Sequence, residues 1–180
     1  MSAADICTID FLDELLDAWV QVMKIEWRGR APEYAHTVVK TYKKALADIA
    51  AWTYTHENIL GYYEDLKGVY NRGLSKGNYY LGRELVEYSD VHWSKATTEK
   101  VQIGRVEHYF HKASIAQIAI EAHEVAVWDS MVIIGATTGY MEVPVSEIYV
   151  DEQPVQKATK GQSITIKVSG RVRENDKVSL

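Results

Sequence analysis

Seven residues, KIEWRGR (Lys24–Arg30), bring a carboxylate and two guanidiniums into one short turn. The preceding run, VQVMKIE (residues 20–26), alternates like a buried strand, which places Glu26, Arg28 and Arg30 just past its end. Charged groups at the C-terminal end of a parallel strand are where a barrel enzyme carries its chemistry, so these three are the candidate catalytic residues. The same spacing also suits a salt-bridged surface turn. A second charged feature runs from Lys67 to Arg105, with seven Lys or Arg against four Asp or Glu. Within it Arg72, Lys76 and Arg83 are the candidate RNA- or anion-binding residues, or else members of a solvated face. His108 and His111 are three apart on a predicted strand, which sends them to opposite faces and argues against a shared metal. His123, beside Glu124, falls at a predicted turn. Cys7 is the single cysteine. It cannot form an internal disulfide, and one thiol falls short of the roughly four ligands an iron–sulfur cluster needs. There is no HExxH, CxxC, phosphate-binding loop or GxSxG.

The elements that must position these residues follow from periodicity. The chain has 180 residues, 47% apolar and 25% charged, with a net charge of −5. That is a globular composition, and its acidity argues against a protein whose main work is gripping phosphate backbones. The acidic MSAADICTID start has no apolar core of a secretory signal, and no apolar run is long enough to span a bilayer. A reducing, cytoplasmic setting is expected from the lone cysteine. Asp10 and Asp13 suggest a helix cap, followed by an apolar face of Phe11, Leu12, Leu15, Leu16 and Trp19. Pro32 suits the first position of a second helix, striped by Val38, Val39, Tyr42, Leu46 and Ile49. Thr55 suits the cap of a third helix carrying Ile59, Leu60, Tyr63, Leu66 and Val69 and ending near Gly73. NRGLSKGNYYLG reads as loop. From about Lys100 the period becomes two: KVQIGRVEHYF, SIAQIAIEA, MVIIG, YMEVPVSEIYV and SITIKV are short β-branched runs, with turns at ATTG, DEQP, ATKG and REND. Helices first and strands second predict an α+β chain ending in a small closed barrel.

Several segments carry a family resemblance: DICTIDFLDELLDA, VMKIEWRGRAPEYAHTVVKTYKKAL, VYNRGLSKGNYYLG, ATTGYMEVPVSEIYVDEQPV and RVRENDKVSL. Taken in order over nearly the whole chain, they resemble the C-terminal part of the collagenase-like peptidase family U32. The resemblance implies a TIM-like barrel followed by a helical connector and a six-stranded antiparallel β-barrel similar to domain 2 of elongation factor Tu. On that comparison residues 1–70 are the end of the TIM-like barrel and connector, 71–98 a glycine-containing linker, and 99–180 the terminal β-barrel. Members are named as peptidases, and several are associated with hydroxylation of tRNA, ribosomal RNA or ubiquinone. The family's paired-cysteine segment lies upstream of anything present here. Cys7 matches a cysteine that is a candidate cluster ligand in full-length relatives, and no cofactor is expected in this chain alone. The sequence resembles a truncated member.

The resemblance implies an accessory module that contacts substrate, RNA or protein without a complete active site. The alternatives are a self-sufficient U32 hydrolase acting on proteins, and an oligomerisation module. Partners would be tRNA or protein, with self-association and without a membrane. The tryptophans add one more expectation. Trp19, Trp27, Trp52, Trp93 and Trp128, the only five in the chain, stand where the family pattern has glycine. A source that reads UGA as glycine, with the codon rendered as tryptophan, accounts for all five. Trp27 and Trp128 are then expected at unusual backbone angles, and the indoles are expected to project outward.

Overall fold

The computed structural model describes residues 3–69, 71–77, 88–90 and 94–180. Arg83 and Trp93 lie outside them. Two compact units divide the chain, residues 1–99 and residues 100–180.

Three helices build the first unit: α1 (Leu12–Asp17), α2 (Pro32–Ala50) and α3 (His56–Gly68). Pro32 opens α2, where its missing N–H leaves nothing unpaired. Thr55 caps α3, its hydroxyl accepting from Asn58 N at 3.3 Å. The expected cap at Asp10 is not made. Phe11 holds that position without a side-chain bond, because Asp10 turns to the ammonium of Lys76. The helix α3 ends at Gly68 rather than near Gly73, with Val69 already extended.

Residues 20–26 form no strand, contrary to their alternating pattern. A strand exists only through a ladder partner, and none of the described pairings includes this segment. The pairing in this unit joins β1 (Asp5–Ile6) in parallel to β2 (Leu74–Ser75), the latter inside the segment expected to be loop. The unit's core holds Ile9, Leu12, Val38, Ala45, Tyr62 and Leu66, flanked by Met23, Tyr42, Leu46 and Tyr63. Tyr62 is fully enclosed, so its hydroxyl needs a partner and donates to Asp48.

The second unit is all strand: β3 (Gln102–Phe110), β4 (Ile115–Ile120), β5 (Glu124–Ala126), β6 (Ser130–Gly135), β7 (Gly139–Pro144), β8 (Ile148–Val150), β9 (Gln153–Val155), β10 (Lys157–Thr159), β11 (Ser163–Lys167) and β12 (Lys177–Ser179). Eight pair antiparallel in the order β7-β6-β12-β3-β4-β11-β8-β9, and β5 pairs with β10 as a separate ribbon. Six strands were expected. The surplus comes from three-residue strands, and YMEVPVSEIYV breaks into β7 and β8. Alternate residues fill one core, among them Ile103, Val106, Ile118, Met131, Ile133, Val143, Ile148, Ile164 and Val178. Each such side chain contributes roughly 1.5–3 kcal/mol on burial. No described helix is long and apolar enough to cross a membrane.

Four of the five tryptophans are described. They point outward as expected: Trp19 is 84% exposed, Trp27 50%, Trp52 95% and Trp128 86%. The backbone expectation holds for Trp128, at φ 81°, and fails for Trp27, which is not left-handed. Trp19 and Trp52 take the left-handed conformation instead, at φ 62° and 60°.

Candidate functional site

A cavity of about 980 Å³ opens in the first unit between the β1–β2 pair, the irregular segment 20–26 and the α2 helix. Its lining includes apolar side chains, Met23, Ile25, Val38, Leu46 and Leu74, together with charged ones. Five cationic side chains line it, Lys24, Arg28, Arg30, Lys43 and Arg72, against two carboxylates, Asp5 and Glu26.

The anticipated trio divides here. Glu26 and Arg28 close on each other at the surface. The Arg28 Nε donates to Glu26 Oε1 at 2.9 Å, its Nη2 to Oε2 at 3.2 Å, and its backbone N–H to Oε1 at 2.9 Å. Those bonds to Arg28 hold the Glu26 carboxyl down at about 2. A carboxylate this acidic and this well paired is a poor proton acceptor near neutral pH.

Arg30 turns the other way. Its Nη2 donates to both oxygens of Asp5, at 3.0 and 3.3 Å, and its guanidinium lies over the Tyr34 ring, 5.4 Å from the centroid. Arg72 joins the same carboxylate through its backbone N–H at 3.0 Å, with Nη2 3.6 Å away. The Arg72 Nε is buried without a hydrogen-bond partner. Asp5 thus holds two arginines at the cavity wall.

Lys76 pairs with Asp10, and this contact pushes its ammonium up from the ordinary lysine value. Of the candidate anion-binding residues, Arg72 lines the cavity, Lys76 is paired with a carboxylate, and Arg83 lies outside the described residues.

Cys7 also lines the cavity, yet it is buried. Burial pushes its thiol up, while hydrogen bonds from the Ile9 backbone and Tyr42 pull part of the way back. The Tyr42 hydroxyl lies 3.9 Å from Cys7 Sγ and accepts from Thr8 N at 3.1 Å; burial, first, drives its own value up to about 12. A neutral thiol beside a neutral phenol is neither nucleophile nor ready ligand. With one cysteine in the chain, the residues present do not fit an iron–sulfur cluster by themselves. Among the described residues no three His, Cys, Asp or Glu are placed to share a metal.

The second unit carries a smaller groove lined by His108, Phe110, His111, Lys112, Arg171 and Arg173. The histidines do face apart: His108 packs edge-on against Phe110, and His111 against Tyr109. His108 Nδ1 lies 3.1 Å from Glu174 Oε1. His123 is exposed in a turn, at φ 57°.

Sequence reasoning missed Asp5, the group that organises the wall. Its partners are 25 and 67 residues away, a distance that no local pattern signals.

Residues 1–89 match the model of Peptidase family U32. A collagenase of Porphyromonas gingivalis strain W83 is 43% identical over 99% of this chain and 43% of its own length. A second P. gingivalis collagenase is 42% identical over 99% of this chain and 49% of its own length. An uncharacterized protease of Methanocaldococcus jannaschii is 29% identical over the whole chain and 44% of its own length. The chain therefore spans less than half the length of these relatives. Among solved structures, a C-terminal domain from Geobacillus thermoleovorans, named as that of a U32 peptidase, covers 44% of this chain and 99% of its own, at 15% identity and a TM-score of 0.43. By the match over residues 1–89 and by these relatives, the chain belongs to peptidase family U32.

Proposed function

We propose that the chain is a substrate-contacting module of a larger U32 protein, without a complete active site of its own, and that the substrate it contacts is anionic, with RNA favoured. The observation that carries this reading is the charge of the cavity. Five cations against two carboxylates collect there in a chain whose net charge is −5. Against that acidic background, a cationic concavity focuses attraction on anions. The groove of the second unit adds an exposed aromatic, Phe110, among Lys112, Arg171 and Arg173, a pairing suited to stacking bases while meeting phosphates. Closure of the second unit's sheet into a barrel similar to domain 2 of elongation factor Tu belongs to the same reading. What supports it is one core shared by Val143 of β7 and Ile148 of β8, strands near opposite ends of the pairing order. The compartment would be the reducing cytoplasm, in which the single Cys7 stays a thiol.

Binding of unmodified tRNA, followed by fluorescence anisotropy at several salt concentrations, tests the proposal. Affinity should fall steeply with salt, and the Lys24→Ala, Lys43→Ala, Arg72→Ala triple variant, which strips three of the cavity's five cations, should bind more weakly and with a slope shallower by about 1 per phosphate contact removed. Absence of binding at low salt, or an unaffected triple variant, refutes it. The names of the relatives favour a second reading, a self-sufficient peptidase. Cleavage of gelatin or casein by the pure chain would establish that reading instead. Concentration-dependent self-association without either activity would leave an oligomerisation module.

A further inference from the structure

Eight non-glycine residues among those described have a left-handed backbone: Trp19, Trp52, Ser114, His123, Trp128, Asp151, Glu152 and Asn175. Histidine, aspartate and asparagine are polar types enriched in this region, and Ser114 and Glu152 are single further cases. Tryptophan is not such a residue, yet it supplies three of the eight from a total of five in the chain.

Two of the three occupy the same structural position. Trp19 follows the last turn of α1, and its N–H donates to Leu16 O at 2.9 Å while Val20 N donates to Leu15 O at 3.0 Å. Trp52 follows α2, its N–H donating to Ile49 O at 3.1 Å while Thr53 N donates to Asp48 O at 2.8 Å. This pair of bonds defines the Schellman helix stop, whose left-handed residue is ordinarily glycine because a Cβ there crowds the backbone. Trp128 is the third residue of the four-residue turn Ala126–Asp129, closed by Asp129 N donating to Ala126 O at 3.2 Å. A positive φ at that place in a turn again calls for glycine. None of the three indoles is repaid by packing, since each is more than four-fifths exposed.

We infer that Trp19, Trp52 and Trp128 occupy positions built for glycine, and that the natural chain carries glycine there because its gene's UGA codons are read as glycine rather than tryptophan. The inference rests on backbone conformation and exposure and is independent of the anion-binding proposal. Trp27, whose backbone is not left-handed, is the internal control.

The test has two arms. The gene's codons at the three positions should all be UGA, and the peptides purified from the source organism should carry the mass of glycine there. In parallel, the Trp19→Gly, Trp52→Gly, Trp128→Gly triple variant is compared with the matching alanine triple by urea unfolding. Because alanine keeps the offending Cβ, the glycine set should be the more stable, by roughly 5–30-fold in the folded-to-unfolded ratio per site. Trp27→Gly should give no such gain. A UGG codon at any of the three positions, or a glycine triple no more stable than the alanine triple, overturns the inference.

Discussion

Removing the Asp5 carboxylate is the sharpest perturbation of the cavity wall. It accepts two bonds from Arg30 and one from the Arg72 backbone, and it lies 3.6 Å from the Arg72 guanidinium. Charge-assisted bonds of this kind contribute roughly 1.5–3 kcal/mol each, and stripping one member from a fully buried ion pair costs about 3–5 kcal/mol. The site is not fully buried: the Asp5 side chain is 18% exposed, Arg30 11% and Arg72 34%. Water can therefore recover part of the loss, and Asp5→Ala should cost about 2–3 kcal/mol. Asp5→Asn keeps the shape and an acceptor oxygen and should cost about 1 kcal/mol. All described helices lie in this unit, so ellipticity at the helical band follows its unfolding. With a urea dependence on the order of 2 kcal/mol per molar, the alanine midpoint should fall by about 1–1.5 M. A fall under about 0.2 M would show that the two arginines gain nothing from the carboxylate. An asparagine variant as damaged as the alanine one would show that charge, rather than packing, supplies the whole effect.

Other outcomes follow from single side chains. A Cβ at Gly104 would lie 1.9 Å from Ala119 O across the β3–β4 ladder, so Gly104→Ala should lose about 2 kcal/mol or more by thermal unfolding. At Gly61, inside α3 with nothing within 4 Å of such a Cβ, the same change should gain roughly 0.5–1 kcal/mol. The Cys7 thiol should react with iodoacetamide many times more slowly in the folded chain than in denaturant. Its folded value is raised, so above the ordinary thiol range the unfolded chain gives up its proton first. Stability should then decline with rising alkaline pH, and Cys7→Ser should flatten that decline. The Glu26 carboxyl should titrate near pH 2 by carbon-detected NMR and return towards the ordinary glutamate range in Arg28→Ala, whereas a wild-type midpoint above 4 would contradict the pairing.

The contrast between Pro32 and residues 20–26 explains what the sequence can reveal. Pro32 and Thr55 act within one helical turn, so their roles are complete in the local sequence and could be read there. An alternating segment such as 20–26 states only which side is apolar; whether it becomes a strand depends on a partner elsewhere in the chain. The strands β3, β4, β6 and β11 were legible because five to nine residues give the alternation room to repeat. The three-residue strand β12 was not legible. KVS carries no repeating signal, yet it pairs with both β3 and β6 and so joins two parts of the sheet. The site shows the same division. The contact between Glu26 and Arg28 spans two residues and was visible as a turn, whereas the diversion of Arg30 to Asp5 exists only after β1 and β2 meet. That parallel pair also carries Arg72 to the wall, because Leu74 is registered against Asp5 two residues beyond it. The cationic cavity is thus a product of pairing across the chain, and a change that prevents β1 from pairing with β2 should disperse its charges even with every arginine left in place.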